Sequence, residues 1–477
     1  MTSYIKQEHP DYTANSQMWR RYRDLYAGGE RFRQNAGEYL VARQREPLEV
    51  YHERLNRVFY ENYIGSIIDW YTATLLRKEP VIEFLGAGEP PKRFFNDLIR
   101  DCDLRGTTLP QFLRDQMTEL LVAGKSWLAV DFPQQGEPAK TRAEEDALGR
   151  SRAYLTAYAA DEVINWSRDH KGELEWAVIR TTCLKQHTVQ TLGWQKERRW
   201  IYYDRERFEI HVETEGEKGK AMELLAEGAH GFAAIHKVPL FELKISPGLW
   251  LMNKAALLQL EHFNKSNALG WALTMGLFAM PVIYSDKELQ QAVGESYYLQ
   301  LGAQDRFGWT EPEGRVFQIA SDNLARLKDE IYRVSYLMQQ AGGGGEHQSG
   351  LSKRWDFSVT AEILRAYGDL IKDAVQNVMT SIAAARLDEC EIDVSGLDEF
   401  DIADFTTEIS GAQALLNLGI ESPTLKRQVL KRVALKYLCD ARQEIKNRIV
   451  DEIDASGIVK QSDASDMVEE AEAKPNQ

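Results

Sequence analysis

The chain contains few of the residues that form disulfides and metal sites. Its 477 residues include four cysteines and nine histidines, and no group of them has the spacing of a zinc motif or a disulfide framework. The cysteines are far apart, at Cys102, Cys183, Cys390 and Cys439. We therefore expect reduced thiols in an intracellular protein that carries no metal and no cofactor.

Long apolar runs are also missing. Residues Met1–Glu8 lack the apolar core of a secretion signal, so we do not expect secretion. The one long uncharged run, Leu269–Tyr284, has about sixteen residues, fewer than the ~18 that span a bilayer, and it contains Pro281. This run predicts a buried helix that continues into a strand, and no membrane association.

An excess of positive charge is absent as well. The formal net charge is -15 and the pI is about 5.3, whereas a nucleic-acid-binding protein concentrates positive charge where it grips phosphate. Any contact with DNA should therefore be local or non-adhesive. With 43% hydrophobic and 10% aromatic residues, the chain can still bury a substantial core, in roughly two to four domains.

The motifs of common enzymes are not found either. Gly124-Lys125-Ser126 looks like the end of a phosphate-binding loop, but Glu119 stands where that motif requires glycine, and a helix instead of a strand is predicted before it. There is no Gly-x-Ser-x-Gly elbow. One acidic group lacks the central glycine of a calcium loop and predicts a surface loop; it comprises Asp388, Glu389, Glu391 and Asp393. The sequence predicts no enzymatic activity.

Hydrophobic periodicity predicts an α+β fold. Helical patterns cover residues 56–76, 109–122, 249–269, 323–340, 360–387 and 411–453, the last of these broken at Gly419–Pro423. Segments rich in β-branched and aromatic residues predict strands at 126–132, 154–158, 163–166, 174–182, 199–203, 208–213 and 315–319, and those between 154 and 213 should form one small antiparallel sheet. Acidic loops are expected at 388–404, and the acidic tail after Gln461 should be disordered.

The most unusual stretch lies between two of the predicted helices. It contains Gly342, Gly343, Gly344, Gly345, His347, Gln348 and Ser349, and it is followed by Lys353 and Arg354. Four consecutive glycines give the backbone maximal freedom. A flexible, partly basic loop held between two helices suits contact with a passing polyanion. The alternative is a surface loop without a role.

Several short motifs occur in an order that covers roughly Tyr39–Phe405. They are Arg54-Leu55 with Phe59 and Asn62, Leu76–Pro80, Asp103–Gly106, Leu109 with Phe112, Gly124-Lys125, Val130–Pro133, Tyr154–Tyr158, Ile164–Trp166, Ser349–Lys353 and Thr360–Leu364. In this order they resemble the portal proteins of tailed double-stranded DNA bacteriophages. No single motif is diagnostic, and the resemblance depends on their order.

The resemblance implies a portal fold with eight segments. These are a mixed wing domain (1–248), a first stem helix (249–269), a small α/β clip (270–319), a second stem helix (320–340), a tunnel loop (341–356), a long wing helix with its return (357–404), a small helical crown (405–457) and an acidic tail (458–477). The tunnel loop would place the glycine-rich stretch, Lys353 and Arg354 against DNA.

The resemblance also implies a function. Portal subunits form a ring, typically of twelve copies, at one capsid vertex of the virion, and double-stranded DNA passes non-specifically along its axis during packaging and ejection. Assembly takes place in the host cytoplasm, with a large terminase, an adaptor or connector, the major capsid protein and a scaffolding protein as partners. The alternatives are another structural head or connector protein without a channel and, less favoured, a membrane-associated or enzymatic protein.

Overall fold

The chain forms two compact units, each built from segments that are far apart in the sequence. A computed structural model describes residues 4–132, 152–186, 194–216, 219–277, 280–284, 304, 306–310, 314–337, 350–398, 400, 405–418, 420, 422–438 and 443–455. Unit 1 contains Met1–Ser16, Trp70–Leu249 and Phe357–Gln477, and unit 2 contains Gln17–Asp69 and Trp250–Asp356. Helices and strands are both abundant in the described residues, so the predicted α+β class is confirmed.

The helices of the described residues are numbered here in chain order. They are α1 (Pro10–Ala27), α2 (Gly29–Asn35), α3 (Leu48–Asn56), α4 (Tyr63–Leu75), α5 (Glu89–Arg100), α6 (Leu109–Ala123), α7 (Leu251–Leu277), α8 (Gly314–Val334), α9 (Gly350–Arg386), α10 (Phe405–Leu416), α11 (Pro423–Tyr437) and α12 (Gln443–Ala455). Single 3₁₀ turns cover Ala36–Glu38 and Ala233–Ile235.

The strands of the described residues pair in antiparallel sheets. They are β1 (Val81–Leu85), β2 (Lys125–Asp131), β3 (Tyr154–Tyr158), β4 (Val163–Arg168), β5 (Leu174–Gln186), β6 (Trp194–Asp204), β7 (Arg207–Gly216), β8 (Gly219–Ala229), β9 (Leu240–Lys244), β10 (Met280–Tyr284), β11 (Arg306–Thr310) and β12 (Glu391–Ser395). The sheet orders are β4-β5-β6-β7-β8, β3-β2-β9, β1-β12 and β10-β11.

Helix α6 shows how local sequence sets the bounds of an element. The Thr108 hydroxyl accepts a hydrogen bond from the backbone N–H of Gln111 at 3.4 Å and caps the first turn. At the other end Gly124 adopts a left-handed φ of 79°, and its N–H bonds the carbonyl of Leu120. The helix predicted over 109–122, and its end at Gly124, are therefore confirmed.

The prediction of one small sheet in unit 1 is wrong. Strand β3 pairs with β2, which also pairs with β9, while β4 to β7 belong to a separate sheet that β8 completes. Strands β8 and β9 had no counterpart among the predicted strands. All but one residue of β2 are buried, and Trp127 on it is fully buried, so this strand needs neighbours on both sides and recruits β9 from more than a hundred residues away.

The predicted acidic loop over 388–404 is also wrong in part, because Glu391–Ser395 is strand β12. It pairs with β1 in a register that places Val81 opposite Ser395. Ile392 and Val394 are buried, whereas Glu391 and Asp393 are exposed. The segment thus alternates with the period of a strand, and its acidic residues are the solvent-facing half of that pattern.

Helix α9 begins ten residues before the predicted start at Thr360. Residues 350–356, which were predicted to belong to a tunnel loop, are helical, and this segment includes Lys353 and Arg354. The prediction followed the apolar stripe, which begins near Ala361 and Leu364. Because no proline or glycine interrupts Leu351–Val359, the helix continues toward its N-terminus beyond the end of that stripe.

Helix α8 replaces the strand predicted at Arg315–Ile319 and ends at Val334 instead of Gln340. Val316 and Ile319 favour strand only weakly, and a long amphipathic helix outweighs that preference. Tyr336 has a left-handed φ of 60°, its N–H bonds the carbonyl of Arg333, and the Leu337 N–H bonds that of Tyr332. This hydrogen-bond pattern terminates the helix.

A close contact in unit 1 leads to a stability prediction. A methyl group on Gly368 of α9 would lie 2.0 Å from the Leu397 carbonyl oxygen, whereas one on Gly411 of α10 would meet nothing within 4 Å. Gly368→Ala should lower the free energy of unfolding by about 1–3 kcal/mol. The matched Gly411→Ala should be neutral or raise it by up to ~1 kcal/mol. Chemical denaturation measures both, and equal effects would show that the Leu397 turn relaxes freely.

Candidate assembly surface

The feature of unit 2 with the clearest functional character is an antiparallel pair of helices, α7 and α8, whose far ends continue into the two-stranded β10–β11 ladder. We call this the helical hairpin. The Lys265 Nζ donates to the Asn323 side-chain oxygen at 2.9 Å, and the Lys254 Nζ contacts the Tyr336 hydroxyl. The contact nearer the start of α7 is made to the residue further along the chain, Tyr336, and the later contact is made to the earlier residue, Asn323, so the two helices run antiparallel. In the ladder, Met280 pairs with Thr310.

Three side-chain amides attach helix α7 to the earlier segment of unit 2. Gln259 accepts a hydrogen bond from the Ile64 N–H at 3.2 Å and donates to the Glu61 carbonyl at 2.7 Å. Gln259 and Ile64 are fully buried, so the Gln259 amide is satisfied by backbone groups instead of water.

The other two amides of α7 use the same two-point geometry. Asn264 accepts from the Val41 N–H at 2.9 Å and donates to the Tyr39 carbonyl at 3.1 Å. Asn267 accepts from the Phe59 N–H at 3.1 Å and donates to the Phe59 carbonyl at 2.9 Å. Together the three amides fix the register between residues 39–64 and the helix, and we call them the amide contacts.

Aromatic packing completes this attachment, and a buried ion pair stabilises the earlier segment itself. Phe32 stacks on Tyr60 with ring centroids 4.0 Å apart and meets Phe263 of α7 edge-on at 4.9 Å. Arg54 and Glu46 are both almost fully buried, and the Arg54 Nε lies 2.7 Å from a Glu46 carboxylate oxygen. Removing either partner would leave a buried charge uncompensated.

Two residues of the portal-like motifs, Asn62 and Phe59, have structural roles in unit 2. Asn62 donates to the Tyr26 carbonyl at 2.7 Å and accepts from the Gly65 N–H at 2.9 Å, and the Phe59 backbone is held by an amide contact. Sequence reasoning missed the amide contacts themselves. The available signal was the presence of Gln259 and Asn267 on the face of α7 that also carries the buried Phe263.

Beyond the amide contacts, the hairpin exposes large apolar side chains. The hairpin apolar surface comprises Leu257 (73% exposed), Leu273 (41%), Tyr284 (64%), Val316 (62%) and Ile319 (60%). Scattered exposed apolar residues are ordinary, but here both helices and the ladder carry them in one excursion of the chain. Such a surface is typical of a protein that buries it against a partner.

The charge of the two hairpin helices is close to balanced. Helices α7 and α8 carry six basic and four acidic residues, a net charge of +2. Part of the basic charge is neutralised locally, since Lys265 pairs with Glu261 at 2.9 Å and Arg333 with Glu330 at 2.6 Å. The helices are therefore not a strongly cationic phosphate-binding surface.

The sequence-predicted site residues are only partly within the described structure. Gly342, Gly343, Gly344, Gly345, His347, Gln348 and Ser349 lie outside the described residues. Lys353 and Arg354 lie in the first two turns of α9, so the structure places them on a helix and not in a loop. Their contact with DNA stays a prediction.

The Gly124-Lys125-Ser126 sequence lies between a helix and a strand, in the order predicted and opposite to that of a phosphate-binding loop. The Lys125 ammonium group lies 4.2 Å from the centroid of the Trp166 ring. Burial lowers the pKa of Lys125, with Glu242 opposing this effect. The lysine therefore faces the interior and the aromatic rings.

Among the described residues, no group of three or more His, Cys, Asp and Glu side chains is placed to hold a metal ion. None of the helices in that part of the chain is both long and apolar enough to cross a bilayer.

No known protein-family model matches this chain, and no curated protein matches it. Three solved structures are similar over 77% of this chain. The first is the neck of an empty gene transfer agent particle computed with C6 symmetry, with a TM-score of 0.43, 12% sequence identity and 90% of that chain covered. The second is the virion of a native gene transfer agent particle, with a TM-score of 0.42, 13% identity and 89% of that chain covered. The third is the neck of a native particle computed with C12 symmetry, with a TM-score of 0.41, 13% identity and 89% of that chain covered. TM-scores below 0.5 carry no functional inference for this chain.

The amide contacts lead to a second prediction. Gln259→Met keeps the side-chain volume but leaves the buried Ile64 N–H without a partner and removes the bond to the Glu61 carbonyl, so it should lower the free energy of unfolding by about 1–3 kcal/mol. Gln318→Met is the matched control, because Gln318 is exposed and bonds only the exposed Asp322. It should change stability by less than about 0.5 kcal/mol. Equal shifts in denaturation midpoint would contradict the role given to Gln259.

Proposed function

We propose that this chain is a portal protein: a ring-forming subunit that encloses a channel for double-stranded DNA at one capsid vertex. The observation that carries the proposal is the helical hairpin, which the amide contacts hold at one end and which exposes large apolar side chains on both helices and on the ladder. The order of portal-like motifs in the sequence supports the same function independently. In this assignment α7 and α8 are the stem, and the β10–β11 ladder belongs to the clip.

The exposed side chains of the hairpin favour association with further copies of the chain. Burying a large aliphatic or aromatic side chain contributes roughly 1.5–3 kcal/mol, and the hairpin apolar surface has five such residues. A subunit with α7 and α8 on a ring interface would bury them against its neighbours. Obligate interfaces of this kind exceed ~2,000 Å².

The acidic character of the chain suits a conduit that DNA must slide through. Non-specific DNA binding with dissociation constants of ~10⁻⁴ to 10⁻⁶ M corresponds to roughly 5.5–8 kcal/mol of adhesion. A uniformly cationic bore would impose that barrier at each step, whereas a chain of net charge -15 with near-neutral stem helices would not. Isolated cations such as Lys353 and Arg354 would touch phosphate transiently.

The remaining parts of the proposal concern partners and chemistry. The portal would act without hydrolysing ATP, so a large terminase docked on the clip would supply the force. An adaptor or connector, the major capsid protein and a scaffolding protein would contact the ring at the vertex. The proposed location is the virion, after assembly in the host cytoplasm.

The second candidate function is a structural head or connector protein without a channel. The hairpin apolar surface is compatible with it, since any oligomer would bury such a surface. The two candidates differ in one observable, because only a portal requires a closed ring with an axial hole.

A substitution on α8 tests the proposed interface. Ile319→Glu should leave the subunit folded, because Ile319 is already 60% exposed in the single chain. It should nevertheless abolish ring formation, because each interface would then have to desolvate a carboxylate. The matched control is Gln318→Glu on the same helix, at an exposed polar position, which should still assemble. Light scattering measures the mass, and circular dichroism checks that the variant is folded. An Ile319→Glu variant that forms an oligomer of wild-type mass would contradict the proposed ring interface.

A second substitution tests the proposed DNA contact. The double variant Lys353→Ala, Arg354→Ala should form rings in normal yield. The amount of DNA retained per particle should fall roughly tenfold, because two cations per subunit no longer contact phosphate. The control Lys196→Ala removes an exposed cation from β6, in the five-stranded sheet, and should behave as wild type. Normal retention in correctly formed double-variant rings would remove these residues from the DNA path.

A further inference from the structure

Unit 1 contains a cavity that the proposed function does not use. Its volume is about 730 Å³, and its walls come from the end of α4 and the segment after it, strand β1, the turn after β12 and helices α10, α11 and α12. Pockets that hold ligands or parts of peptides have similar volumes, ~300–1,000 Å³. Apolar side chains form much of the wall, among them Leu75, Val81, Leu397, Phe400 and Val433.

The charged side chains of the cavity are mostly positive, in a chain that is strongly negative as a whole. Five cationic and three acidic residues line it, a net charge of +2. One of the cations, Lys431, lies 2.9 Å from Asp454 and 3.7 Å from Glu83. Arg77 is exposed and Lys78 half-buried. The cavity therefore combines apolar walls with positive charge and would select an occupant that is both apolar and acidic.

The chain itself carries such a segment directly beyond α12. Residues 456–477 lie outside the described structure, and within them Met467 and Val468 stand among Asp463, Asp466, Glu469, Glu470 and Glu472. The connection is short. Residues 456–462 can span up to ~24 Å when extended. From Lys446 on the cavity wall to Ala455 at the end of α12 is only ~14 Å along the helix.

We propose that residues 463–472 bind in this cavity of their own chain. Met467 and Val468 would meet the apolar walls, and the surrounding carboxylates would meet Arg77 and Lys78. A short tether gives the tail an effective concentration in the millimolar range, which favours its own cavity over that of another copy. The helices α10 to α12 would then be held on β1 by the tail as well as by their own contacts.

The test uses the full chain and a synthetic peptide of residues 458–472. In a tail variant, Asp463 and Asp466 become Asn while Glu469, Glu470 and Glu472 become Gln. This variant should bind the free peptide at least tenfold more tightly than the wild-type chain, whose cavity is already occupied. Fluorescence anisotropy measures the binding. A neutral peptide with the same five replacements is the control and should bind at least tenfold more weakly.

A change in the cavity identifies the binding site. Adding Arg77→Glu and Lys78→Glu to the tail variant should weaken peptide binding at least tenfold, whereas adding Arg198→Glu, an exposed cation of β6, should leave it unchanged. Equal peptide binding by wild type and tail variant, or no effect of the Arg77 and Lys78 changes, would overturn the proposal. Binding of the tail to a neighbouring copy would also overturn the proposal. In that case the wild-type chain would bind the free peptide weakly at high protein concentration and as tightly as the tail variant after dilution. None of these readouts depends on ring formation, so they fail or succeed independently of the portal assignment.

Discussion

The hydrogen bonds between the α7 amides and the backbone of residues 39–64 are the interaction on which the architecture of unit 2 depends. This unit is assembled from two stretches separated by about 180 residues of unit 1, so chain connectivity does little to align them. Apolar packing supplies most of the free energy but has no direction. Gln259, Asn264 and Asn267 supply the direction, because each bonds both an N–H and a carbonyl and tolerates one register only.

This attachment explains how one face of α7 is buried as far as Asn267 while other side chains of the helix stay exposed. Up to Asn267, the face of α7 with the amide contacts is covered by the earlier segment, with Phe263 fully buried. Further along, Leu273 and the facing part of α8 with Val316 and Ile319 have no comparable cover within unit 2. A hairpin fixed at its base can present apolar side chains without collapsing onto its own chain. That is a requirement for a subunit whose core is completed by neighbours.

Sequence patterns predicted elements well where local signals were complete. Strand β3 was predicted over its full extent, Tyr154–Tyr158, and the end of α6 was predicted at Gly124, whose capping role can be read locally. Prediction failed where partners are distant. Glu391–Ser395 was predicted to be an acidic loop because its strand structure depends on pairing with Val81–Leu85. The start of α9 was predicted ten residues too late because the apolar stripe is shorter than the helix. The amide contacts were missed for the same reason, since a buried glutamine is satisfied by backbone that only the fold brings near.

We propose that the helical hairpin is a ring interface around an axial channel, and direct imaging of the purified chain tests this. Negative-stain electron microscopy, with the mass from light scattering on the same sample, should show closed rings with a central hole and a mass that is an integral multiple of 54.5 kDa near twelve copies. A folded monomer at micromolar concentration, or a compact oligomer without an axial hole, would contradict the account.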